Sequence, residues 1–75
     1  MIDRVCKVIS NVLNEPLDQI DESTSSANLD KWDSLKHMNI ILAVEQEFGV
    51  QFDEELMLGL ISVGLIVAAL NELEN

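Results

Sequence analysis

Positive charge is scarce in this sequence. Four Lys and Arg stand against fourteen Asp and Glu, a formal net charge of −10. That shortage excludes nucleic-acid binding, which needs clustered Lys and Arg against phosphates. It equally excludes adhesion to an anionic membrane surface. It favours partners with basic patches, met quickly and released as salt rises. Cysteine is nearly absent: Cys6 stands alone, so no internal disulfide forms, which fits a reducing cytoplasm. Its neighbours Val5, Val8 and Ile9 make it a buried structural thiol. Long apolar runs are missing as well. The most apolar stretch, Leu56–Leu70, is broken by Gly59, Ser62 and Gly64 and falls short of the roughly 20 residues that span a bilayer. The opening residues lack the basic and apolar regions of a signal peptide. With 75 residues the expectation is a single monomeric domain over 1–75, with little room for a deep catalytic cleft. An apolar fraction of 48% is enough for a packed core.

What is present reads as helix. Ile2, Val5, Ile9, Val12 and Leu13 recur at helical spacing, predicting a first helix that stops near Asn14, ahead of Pro16. Residues 15–33 form a long connection rich in Asp, Ser, Thr and Asn. Leu17, Ile20, Leu29 and Trp32 are expected to pin its ends, with Ser23–Ser26 as its most mobile part. A second helix is predicted from Ser34 to Phe48, closed by Gly49. Ile40, Ile41, Val44 and Phe48 fall within about 100° on its wheel and make a core stripe. Leu35, Met38 and Leu42 form a second stripe roughly opposite, flanked by Asn39, Glu45 and Gln46, and that is the pattern of an interaction patch with a polar rim. A short third helix is predicted over 53–58, with Asp53, Glu54 and Glu55 at its positive end and Gly59 as its breaker. Ser62 is the expected N-cap of a last helix over 63–73, buried along Val63, Ile66, Val67 and Leu70. The fold class is all-α: a small four-helix bundle of three main helices and one short one, with a long loop between helices one and two.

The loop–helix junction carries the candidate chemistry. Asp33, Ser34 and His37 are close enough on a helix to mimic a nucleophile, base and orienter. No Gly-x-Ser-x-Gly elbow, glycine-rich oxyanion loop or concave site accompanies them, so a hydrolase is rejected. His37 lies on the edge of the core stripe and reads as a packed core histidine. Asp30, Asp33 and His37 match no recognised metal-ligand set. A calcium loop read from Asp21 places Ser26 where glycine is needed and Trp32 where the bidentate glutamate belongs. A serine at a helix N-terminus without a base of its own can still be modified by another enzyme. The free N–H groups and the dipole at that end stabilise an added phosphodiester. The competing role for Ser34 is a simple N-cap.

Asp33-Ser34-Leu35, followed by Ile40-Ile41-Leu42-Ala43-Val44-Glu45-Gln46-Glu47-Phe48-Gly49-Val50, resembles the acyl carrier proteins. The similarity extends over nearly the whole chain, through its acidity, helix order, long first loop and the Ser62-Val63 start of the last helix. It implies a carrier and not an enzyme. Ser34 would bear 4′-phosphopantetheine, transferred from coenzyme A by a Mg²⁺-dependent phosphopantetheinyl transferase for which Asp33 is a landmark. The terminal thiol would hold acyl groups as thioesters for fatty acid, polyketide or related biosynthesis. Partners would be acyl-loading and acyl-processing enzymes with basic docking patches, meeting Leu35, Lys36, Met38, Asn39, Leu42 and Glu45, with Asp53 and Glu54 at the edge. Lys36 and Asn39 stand where fatty-acid-type members often carry acids, and Leu56–Ile61 is more apolar than usual, lining an acyl cavity or docking a partner. Aminoacyl or peptidyl carriage, and an unmodified acidic helical adaptor, are the alternatives.

Overall fold

A computed structural model describes residues 1–74. Four helices follow in order: α1 (Ile2–Leu13), α2 (Ser34–Phe48), α3 (Glu54–Gly59) and α4 (Val63–Glu74), with a single 3₁₀ turn, Leu17–Gln19, in the first loop. The small helical bundle is therefore the architecture the periodicity predicted. α1 packs against both α2 and α4, and the shared core is aliphatic. Val5, Ile9, Ile40, Ile41, Val44, Val63, Ile66 and Leu70 are fully buried, which is the burial that a chain this small needs to hold its shape. Among the described residues no helix is long and apolar enough to cross a membrane.

The helix ends follow local chemistry. Asn14 terminates α1 in the left-handed region, φ 56°, its N–H bonded to the Ser10 carbonyl. Asn tolerates that conformation through its short polar side chain. Gly49 does the same for α2 at φ 66°, donating to the Glu45 carbonyl. Ser62 caps α4 as expected, accepting from Leu65 N at 3.1 Å. Gly59 does not break α3. It is the last helical residue and Leu60 is the cap, because Leu60, 3% exposed, is drawn into the core. Phe48 and Val67 are half-buried instead of fully packed. Leu17 does not tuck in either and stays 44% exposed, whereas Ile20 and Trp32 are buried. Cys6 is buried in α1. Burial first, then the carboxylates of Asp3 and Asp21, pushes its thiol above the ordinary range.

Ser23–Ser26, expected to be the most mobile part of the first loop, is tied by local hydrogen bonds. Asp21 accepts from the Ser23 N–H at 2.9 Å and the Ser23 hydroxyl at 2.6 Å, an Asx turn. Asn28 bridges Ser25 N and the Ser23 carbonyl. This compact unit then serves the start of α4, whose first N–H groups have no partner inside the helix. Val63 N donates to the Thr24 carbonyl at 3.0 Å and Gly64 N to the Glu22 carbonyl at 3.2 Å, while Ser26 N donates back to Ile61 O at 2.9 Å. Backbone donors on α4 needed acceptors, and the polar loop supplies them.

Candidate functional site

The N-terminus of α2 is built differently. Asp33, in extended backbone, is its N-cap and accepts from Lys36 N at 2.9 Å. Its carbonyl also receives the first helical bond, from His37 N at 2.7 Å. The capping role weighed for Ser34 is thus filled by its neighbour. Ser34 becomes the first helical residue, exposed. Among the described residues its hydroxyl and its N–H, and the N–H of Leu35, make no hydrogen bond. A free hydroxyl beside two free backbone donors at the positive end of a helix suits a phosphodiester. The residues present therefore fit a phosphate-linked prosthetic group.

A groove of about 480 Å³ opens beside this serine. Trp32, Asp33 and Ser34 at the loop–helix junction, His37 and Met38 of α2, and Ser26, Leu58 and Ile61 line it. Its apolar wall is the half of the Leu56–Ile61 stretch that stays outward. Leu58 is 73% exposed and Ile61 43%. Leu56 turns away, into a separate groove with Leu65 and Ala69.

His37 is buried, and its ring serves structure. Nδ1 faces the Trp32 indole N–H at 3.0 Å and Nε2 faces the Met57 carbonyl at 2.7 Å. Both nitrogens are therefore committed away from Ser34. Among the described residues no three of His, Cys, Asp and Glu converge as a metal site.

The second stripe of α2 is on the surface. Leu35 is 72% exposed, Leu42 51% and Met38 40%. Asn39 is exposed and Lys36 half-buried beside them, and Asp53 and Glu54 lie exposed at the start of α3. Asp53 is also the N-cap of α3, accepting from Leu56 N at 2.7 Å. Glu45 stands apart from this group. It is half-buried and its carboxylate accepts from Phe52 N at 2.8 Å, tying the link before α3 to α2. Sequence reasoning missed that inward use, and it missed Ser26 as a neighbour of the site and the bonds that tie Trp32 and Met57 to His37. Helical spacing relates residues within one helix, and these contacts cross between segments.

Residues 3–70 match the family model described as phosphopantetheine attachment site. A comparison with curated proteins finds no match.

Proposed function

The chain belongs to the phosphopantetheine attachment-site family, and from that membership we propose that Ser34 bears the arm and that an acyl group is its cargo. Members of this family are carriers without catalysis of their own, hold 4′-phosphopantetheine covalently, and work with a phosphopantetheinyl transferase and biosynthetic enzymes. When attached, the group supplies a thiol at the end of a flexible arm, on which acyl intermediates are held as thioesters.

One observation carries the choice of Ser34. Its hydroxyl is exposed and unbonded because Asp33 takes over the cap. Asp33 thereby fixes where the helix starts and where the hydroxyl points, and the transferase reads both residues together. The adjoining groove favours an acyl cargo. Its walls of Trp32, Met38, Leu58 and Ile61 suit an aliphatic chain better than the ammonium of an aminoacyl group. The pathway is fatty acid, polyketide or related biosynthesis, and the whole chain acts as one carrier domain.

Partner enzymes dock on the exposed stripe Leu35, Met38 and Leu42, an apolar centre with polar residues around it. Lys36 and Asn39 reduce the negative charge of this stripe, and Asp53 and Glu54 restore it at the edge. Basic patches on the partners complement a chain of net charge −10.

The test is incubation with coenzyme A, Mg²⁺ and a broad-specificity phosphopantetheinyl transferase, followed by intact mass. The expected result is a gain of one phosphopantetheine in the wild type and none in Ser34→Ala. Equal gain in the variant would place the attachment elsewhere. No gain in either would favour the unmodified adaptor. The mass of the protein isolated from its own source reveals arm and cargo together.

A further inference from the structure

His37 belongs neither to the exposed stripe nor to the attachment chemistry, yet it is one of the few buried polar side chains. Its hydrogen bonds fix its tautomer. The Trp32 indole N–H is a donor only, so Nδ1, 3.0 Å away, accepts from it. The ring proton of the neutral imidazole then sits on Nε2 and is donated to the Met57 carbonyl at 2.7 Å. The two rings lie nearly parallel, 23° apart, with centroids 6.1 Å from each other.

Each end of this relay holds something the site needs. Trp32 is the residue directly before Asp33 and Ser34, and it lines the groove with them. Met57 O is among the last carbonyls of α3, groups that a helix cannot satisfy by itself. Its other partner, Leu60 N, is distant at 3.4 Å. α3 has no fully buried residue of its own and packs on the core mainly through Met57, so the bonds at its ends help to place it. Glu45 holds the link before it through Phe52 N, and His37 holds its end. Both are side chains of α2, roughly two turns apart.

We propose that His37 is a two-ended positioning residue of this site: through Nδ1 it sets Trp32 and so the Asp33–Ser34 junction for arm attachment, and through Nε2 it hangs the α3 wall of the groove without bearing on attachment. The proposal rests on the Ser34 reading. The two ends are chemically separable. An Asn amide reaches the place of Nδ1, and a Gln amide reaches the place of Nε2.

Three readouts decide the matter on the full chain. They are amide hydrogen exchange at the end of α3, emission of Trp32 (the one tryptophan present), and the KM and kcat of loading by the transferase with coenzyme A. His37→Asn is expected to keep the Trp32 emission and the KM while speeding α3 exchange on the order of fivefold, the worth of one hydrogen bond. His37→Gln is expected to keep α3 exchange, shift the emission and raise the KM about fivefold with kcat unchanged, again one hydrogen bond lost. Exchange and emission moving together in both variants would mean a merely structural residue and overturn the proposal, as would neither moving in either. Trp32→Phe deletes the indole donor and leaves His37 intact. It is expected to raise the KM as His37→Gln does, and an unchanged KM would overturn the first end of the relay. If the wild type gains no phosphopantetheine, the Ser34 reading fails and the attachment role with it. If the wild type loads and His37→Gln loads with the same KM, the proposal alone fails.

Discussion

Arg4 lies over the ring of Phe48, its guanidinium carbon 4.4 Å from the ring centroid. The same side chain donates to the Glu47 carbonyl at 2.9 Å and pairs with the Glu47 carboxylate at 3.0 Å. The first turn of α1 is thereby fastened to the last turn of α2, and a positive charge sits at that helix's negative end. An exposed cation–π contact and a surface ion pair are each worth at most about 1 kcal/mol, so Arg4→Ala is expected to destabilise the fold by roughly 1 kcal/mol in urea titration. Arg4→Lys retains charge but loses the forked geometry and should fall between the two.

Two glycines near helix ends have opposite consequences. Gly49 sits at φ +66°, where an added Cβ is strained, so Gly49→Ala is expected to destabilise by about 1 kcal/mol. Gly59 is helical and has open space where a Cβ would stand. Gly59→Ala is therefore expected to stabilise by about 0.5–1 kcal/mol, by lowering unfolded-state entropy and favouring the last turn of α3. Thermal unfolding of both variants reads the two signs directly.

The first loop has its own pH dependence. Hydrogen bonds from the Ser23 side chain, then the Ser23 backbone, hold the Asp21 carboxyl below its usual range. A carboxyl with a depressed folded pKa stabilises fully above its unfolded value and loses that contribution as pH falls through the folded one. The stability advantage of wild type over Asp21→Asn, measured by urea titration, is expected to be present above about pH 4 and to shrink on acidification below it. A difference that stays flat from pH 6 to pH 2 would remove Asp21 from the account.

Glu45 separates docking from folding. Its carboxylate accepts from Phe52 N at 2.8 Å, so Glu45→Lys leaves a half-buried donor without its partner and is expected to cost about 1–3 kcal/mol. Glu45→Gln keeps an acceptor and should cost well under that. A loss of partner association rate at low salt that appears in both variants measures charge. A loss confined to Glu45→Lys measures displacement of the link before α3.

The helices were legible because their signals are local. Apolar spacing placed Ile40, Ile41 and Val44 in the core, and Asn14, Gly49 and Ser62 marked ends that the structure keeps. The outward stripe of Leu35, Met38 and Leu42 followed from the same wheel. The bonds of the first loop were not legible because several of them are non-local. Nothing in Ser23–Ser26 announces that the Thr24 and Glu22 carbonyls will meet the first N–H groups of α4. Leu17, apolar and next to Pro16, offered a core residue that the 3₁₀ turn points outward. At the loop–helix junction the sequence singled out Asp33 and Ser34, but not which of them caps α2. Which of two adjacent polar residues caps a helix depends on which one takes up extended backbone, and Asp33 does. The Trp32–His37–Met57 relay joins a loop, a helix and another helix's carbonyl, and no spacing rule within one element encodes it.

Burial of Cys6 has a chemical consequence for a carrier. The chain's single native thiol is shielded and its ionisation suppressed, so it offers no competing nucleophile to a thioester on the arm. With the arm on Ser34 as proposed, its cargo meets no exposed protein thiol while the core is intact, because Cys6 is buried. Alkylation of the folded protein under native conditions is accordingly expected to report a thiol on the arm well ahead of Cys6.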